Sequence, residues 1–274
     1  MHLEEDYLGY SVFYPLHTEE YRGIVVLVHA NQYLNPKSYG GLIESFLKNG
    51  LIVVYPVYER FLISTNRKNL EVLTSVISKA YDDIKINLPT FENLPTVYVG
   101  HSQGGIIVFQ LAELSEKEFR KPAAVISVAP KEKRHHRLED LDYASLEPST
   151  TYLIIEENKD RNYKKEIGKE IHNKVKSFDR AYYVLHGNEE ESYGHSGLID
   201  VNKNYSSKYN GLKDYFSWYI GKKSDESRFY YKKINSAINC GIDRADCRII
   251  TKPMQPVPKP AEEKSKETKE NLSK

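Results

Sequence analysis

The chain predicts an α/β fold, a mostly parallel central sheet with helices on both faces, and three observations carry that expectation. Continuous β-branched runs such as Ile24-Val25-Val26-Leu27-Val28 stand where strands buried on both faces would lie. Segments with apolar residues three and four apart separate those runs. One strand-to-helix junction reads Gly100-His101-Ser102-Gln103-Gly104, with Val97-Tyr98-Val99 before it and Ile106-Ile107-Val108 after it. Strands alternating with helical segments are the pattern of parallel β/α units. At 274 residues and 40% hydrophobic composition, one sizeable domain is expected over 1–250.

In chain order, Tyr10 to Tyr14 reads as an antiparallel edge strand that Pro15 closes. After the run 24–28, Pro36 to Asn49 sets Leu42, Ile43, Phe46 and Leu47 on one helical face, and Gly50 stands where a helix ends. Leu51 to Tyr55 is the next strand, stopped by Pro56, and Leu70, Leu73, Val76, Ile77, Ala80 and Ile84 mark a long amphipathic helix. Strands are then expected at 96–99, 123–128, 151–155 and 182–185, with Tyr163, Ile167, Ile171 and Val175 spacing a helix between the last two. A final helix is expected over roughly 207–220, with Tyr209, Leu212, Tyr215, Phe216 and Tyr219 giving it an aromatic face. Residues 251–274 alternate Pro, Lys and Glu with almost nothing apolar and are expected to be a disordered tail.

A formal net charge of +1 gives no field to draw the chain to nucleic acid or an anionic membrane, which favours a small or neutral partner. No apolar run approaches the roughly 20 residues that span a bilayer. The start, Met1-His2-Leu3-Glu4-Glu5-Asp6, is acidic where a signal peptide is basic and then apolar. Cys240 and Cys247 are the two cysteines, and without histidine neighbours they cannot complete a tetrahedral zinc site. They are either a small disulfide loop or two thiols. A native start implies a cytoplasmic protein; a Cys240-Cys247 disulfide implies an exported, processed one. Neither a cofactor nor a metal is expected, and the oligomeric state is not legible.

The junction at 100–104 has the form G-x-S-x-G. A serine hydroxyl becomes a useful nucleophile when it is held clear of the backbone beside a base, and a tight strand-to-helix turn does the first of these. Gly100 and Gly104 are then steric necessities, because a side chain at either would collide with the neighbouring strand or helix.

With this elbow and the strand pattern around it, the chain resembles the α/β-hydrolase superfamily over Val25 to about Ile220. Within it the layout is similar to lidless dienelactone-hydrolase-like and polyester-hydrolase-like serine esterases. The resemblance implies a nucleophile, an acid and a histidine in that chain order, each after its own strand. It places the nucleophile at Ser102. The acid follows Tyr152-Leu153-Ile154-Ile155, where Asp160 is preferred to Glu156 and Glu157, which are nearer the strand; Asp160 can equally cap a helix beginning near Arg161. Of the nine histidines, three follow the acid, and His172 sits within a predicted helix, which leaves His186 and His195. His195 is preferred because its loop, Ser192-Tyr193-Gly194-His195-Ser196-Gly197, can carry an imidazole over the sheet, whereas His186 ends a strand.

The superfamily takes one oxyanion donor from the residue after the nucleophile, here the Gln103 N–H at a helix start. The other comes from the loop after the first parallel strand, where His29-Ala30-Asn31-Gln32 resembles His-Gly-x. Ala30 departs from the usual glycine, so Asn31 is expected with Gln32 as the alternative. The adjacent His135 and His136 lie in a basic run and read as a solvated loop rather than a metal site. Residues 129–150 leave too little chain for a helical lid, so an open cleft taking a small-molecule or polymeric ester is expected. The function implied is ester hydrolysis through an acyl-enzyme, with an amidase or peptidase, or a non-catalytic binding protein on the same fold, as alternatives.

Overall fold

The computed structural model describes residues 9–16, 18, 20–59, 69–115, 120–132, 141–158, 166–185, 197–209, 225–244 and 247. Its centre is a seven-stranded sheet of β1 (Tyr10–Phe13), β2 (Gly23–Val28), β3 (Leu51–Pro56), β4 (Thr96–His101), β5 (Pro122–Val128), β6 (Thr151–Glu157) and β7 (Arg180–Leu185), in the spatial order β1-β3-β2-β4-β5-β6-β7. Only β1 is antiparallel, pairing Tyr10 with Pro56 at the edge; every other pair is parallel. β2, β3, β4 and β6 are buried at every position, as both-sided burial requires of β-branched runs.

The helices α1 (Gly40–Lys48), α2 (Asn69–Asn87), α3 (Gln103–Ser115), α4 (Ile167–Lys174) and α5 (Asp225–Asp243) cover the two faces. Val25 and Leu27 pack with Leu42, Phe46, Tyr230 and Ile234 on the α1 and α5 side. Ile24, Val26 and Val28 pack with Leu73, Ile77, Ile106 and Ile171 on the side of α2, α3 and α4. The period-two alternation of one strand thus feeds two separate cores. None of the helices among the described residues is long and apolar enough to cross a membrane.

Two expectations change. The helix expected over 36–49 is a 3-10 turn, Pro36–Tyr39, leading into α1, because the Asn35 side chain accepts from Lys37 N–H and fixes the first turn. Of the helix expected over 207–220, residues 207–209 are not helical and 210–220 lie outside the described residues; before it, Lys203–Tyr205 form a single 3-10 turn. A helix that no apolar stripe marks, α5, packs against β5 and β6. The buried face of α5 is Tyr230, Ile234, Ala237, Ile238 and Gly241, small or separated residues in a polar segment. Gly241 lets the helix approach β5, since a Cβ there would lie 2.8 Å from the Ala123 carbonyl carbon. Of the two readings for the cysteines the disulfide is the one formed, Cys240 to Cys247, at the end of α5. The 251–274 tail lies outside the described residues.

Candidate active site

Ser102 stands between β4 and α3 with φ +57°, a left-handed conformation that a non-glycine residue adopts at a cost of about 1–2 kcal/mol. Three backbone hydrogen bonds hold it there. Its N–H donates to Val128 O (2.9 Å), and its carbonyl accepts from Gly105 N–H (2.9 Å) and Lys131 N–H (3.0 Å). The end of β5 therefore braces the turn. The two glycines meet the steric expectation: a Cβ on Gly100 would press into the Gly104 carbonyl and lie 2.8 Å from Gly105 N. A Cβ on Gly104 would press into the Val28 carbonyl and lie 2.8 Å from that of His29.

The second contact matters for function, because it brings the start of α3 against the end of β2. Val28 pairs with Gly100 across the parallel ladder, so the loops after β2 and β4 leave the sheet side by side. In the β2 loop the backbone groups have distinct destinations. Ala30 N–H donates to the Tyr39 hydroxyl (2.9 Å), which lies 2.8 Å from His101 Nδ1. Gln32 N–H donates to Glu59 Oε2 (2.8 Å). The Ala30 carbonyl accepts from Tyr33 N–H (3.1 Å) and lies 2.8 Å from His29 Nδ1, which must carry the proton since a carbonyl only accepts. A trans peptide then turns Asn31 N–H away from that turn. Neither Asn31 N–H nor Gln103 N–H has an acceptor among the described residues.

Aromatic residues support the loop from below. His29 stacks on Tyr58 at 4.3 Å, and the Tyr58 hydroxyl donates to His29 O (2.6 Å). Burial, with the Glu59 charge adding to it, pushes the Tyr58 pKa well above its usual value and keeps it a neutral donor. Tyr39 and Glu59 carry no spacing in the sequence that marks them, and His101 is visible there only as a variable position of G-x-S-x-G.

Asp160, His195 and the alternative His186 lie outside the described residues. The chain leaves β6 at Glu157 and β7 at Leu185 at the same end of the sheet as Ser102, and Asn158 N–H donates to Leu185 O (2.9 Å). The alternative acids hold packing contacts on opposite faces. Glu156 accepts from Gly168 N–H (2.8 Å) and the Tyr182 hydroxyl (2.6 Å), and Glu157 from the Tyr230 hydroxyl. Beyond the His195 loop, Leu198 and Ile199 are buried, Asp200 N–H donates to Ser38 O (3.0 Å), and Gly41 N–H donates to Asp200 O (3.1 Å). Residues 197–202 are thereby fastened to the segment that follows the β2 loop. His135 and His136 also lie outside the described residues. The grouping of potential metal ligands found among those described, Asp179 with Cys240 and Cys247, has both sulfurs in the disulfide.

No family model matches the chain, and no curated protein matches it by sequence. Solved structures do. Carboxyl esterase 2 from Tuber melanosporum is 13% identical with a TM-score of 0.61, covering 86% of this chain and 83% of that one. Esterases from Rhizomucor miehei give 10% and 0.58, covering 86% and 80%. A soluble variant of monoglyceride lipase from Saccharomyces cerevisiae, in complex with a substrate analogue, gives 12% and 0.55, covering 86% and 92%. The chain has the α/β-hydrolase fold.

Proposed function

We propose that the chain is a serine hydrolase of carboxylic esters working through an acyl-enzyme. The observation that carries this reading is the conjunction at one end of the sheet: Ser102 on a left-handed elbow beside two backbone N–H groups, of Gln103 and Asn31, with no acceptor among the described residues. Backbone donors in folded protein are mostly paired, so two without an acceptor, on loops that leave the sheet side by side, suit an anionic oxygen.

In this reading Ser102 Oγ adds to the acyl carbon while its proton passes to His195, which Asp160 orients. The carbonyl oxygen becomes an oxyanion held by Gln103 and Asn31. Collapse re-forms the carbonyl and breaks the bond to the alcohol, which leaves with the proton from His195. Water then repeats the sequence on the acyl-enzyme, releasing the acid and returning the proton to Ser102. The chemistry as written uses neither metal nor cofactor. The shortness of residues 129–150 supports an open cleft of the lidless kind and a small or polymeric ester. The Cys240-Cys247 disulfide supports an oxidising compartment.

Hydrolysis of p-nitrophenyl acetate by single variants tests the assignment. Ser102→Ala should fold and lose on the order of 10⁵- to 10⁶-fold in turnover. His195→Ala should lose activity comparably, whereas His186→Ala should affect mainly stability. Near-normal turnover by Ser102→Ala would end the reading, and reversed histidine phenotypes would move the base to His186.

A further inference from the structure

We propose that Glu59 is a positioning residue of the oxyanion site, its buried carboxylate fixing the loop that presents the Asn31 N–H. The inference rests on the ester-hydrolase reading and deepens it. Glu59 follows β3 and is 1% exposed. Its carboxylate accepts from Asn31 Nδ2 through both oxygens (2.8 and 3.0 Å) and from Gln32 N–H (2.8 Å). Burying a carboxylate is costly unless it is hydrogen-bonded, so these bonds are what make it tenable there.

The loop needs such a clamp for a local reason. Gln32 sits at φ +66°, where a side chain is unfavourable, and Ala30, two residues before it, lacks the freedom of glycine. The path of residues 30–32 is therefore imposed from outside. Tyr39 holds the Ala30 end, and Glu59 holds the Asn31 and Gln32 end. Between these two holds lies the Asn31 N–H, and the Gln32 N–H is removed from competition as a donor by its bond to Glu59. Without the carboxylate both the Gln32 N–H and the Asn31 side chain are released, so residue 31 loses its anchor and the Ala30–Asn31 peptide that carries the donor N–H is held from one side only. A donor stabilises the transition state only if it already points at the developing charge. Glu59 then acts on the step that forms the oxyanion and not on ground-state binding.

The test measures kcat and KM on p-nitrophenyl acetate, per active site titrated with a fluorophosphonate, together with thermal midpoints. Glu59→Gln should lower kcat by roughly 10- to 100-fold, short of the full loss of a donor, with KM nearly unchanged. Glu59→Asp, which keeps the charge, should recover part of that loss. Asn31→Ala keeps its backbone N–H but removes two clamp bonds. It should lose a smaller factor in kcat and serves if the Glu59 variants do not fold. Wild-type kcat per titrated site in Glu59→Gln, or in Asn31→Ala, would overturn the proposal even if the midpoint fell, since a purely structural residue gives that result. Ser102→Ala run in parallel separates the failures: retained turnover there would remove the hydrolase reading, and the role of Glu59 with it.

Discussion

The turns after β2 and β4 lie side by side, and both pass through a left-handed residue that is not glycine, Gln32 at +66° and Ser102 at +57°. They are held by opposite means. The elbow is shaped by glycines at 100 and 104, whose missing side chains let β4, α3 and β2 approach, and by backbone hydrogen bonds to residues 105, 128 and 131. The β2 loop contains no glycine. It is shaped by side chains from elsewhere, Tyr39 ahead of α1 and Glu59 after β3. One turn is specified by its own sequence, the other by its neighbours, and they respond differently to change.

The largest contrast should come from filling the elbow. In Gly104→Ala the new methyl meets the Val28 and His29 carbonyls, which are backbone and cannot move aside. A stability loss of about 3 kcal/mol is expected from overpacking. A fall in turnover of about 100-fold should accompany it as α3 shifts Ser102. Denaturant unfolding and ester turnover check both, and an unperturbed variant would mean that the elbow does not depend on close approach.

A smaller effect is expected on the other turn. Tyr39→Phe removes the hydroxyl between Ala30 N–H and His101 Nδ1 and leaves a buried N–H without its acceptor, a loss of about 1–3 kcal/mol. Turnover should fall less than in Gly104→Ala, because Glu59 still holds the far side of the loop. Equal losses in the two variants would erase the distinction between the turns.

The smallest effect has the opposite sign. Ser102→Gly should be more stable than Ser102→Ala by about 0.5–1 kcal/mol, since glycine relieves the left-handed strain but adds freedom to the unfolded chain. Comparing the two midpoints measures what the elbow stores. A glycine variant less stable than the alanine one would show that its φ carries no strain.

The same contrast explains what the sequence discloses. G-x-S-x-G is legible because glycine records a conformation at the residue that needs it, and the runs at 24–28 and 51–55 are legible because both-sided burial leaves no polar position. Glu59 and Tyr39 are not, since a clamp is a relation between distant residues and its members look ordinary alone. The α5 helix escaped for a related reason. Ala237 and Gly241 are buried because they are small, not because they are strongly apolar, so no apolar stripe marks the segment. Between Asn31 and Gln32 the sequence left a choice that only hydrogen-bond partners inform, and Glu59 takes the Gln32 N–H.

The central claim is that the left-handed elbow makes Ser102 a reactive nucleophile. The direct measurement is the intact mass of the protein after treatment with a fluorophosphonate, followed by peptide mapping of the adduct. The account expects one phosphonyl group per chain, located on Ser102 and absent from folded Ser102→Ala. Failure of the folded wild-type protein to react, or an adduct that persists in Ser102→Ala, would contradict it.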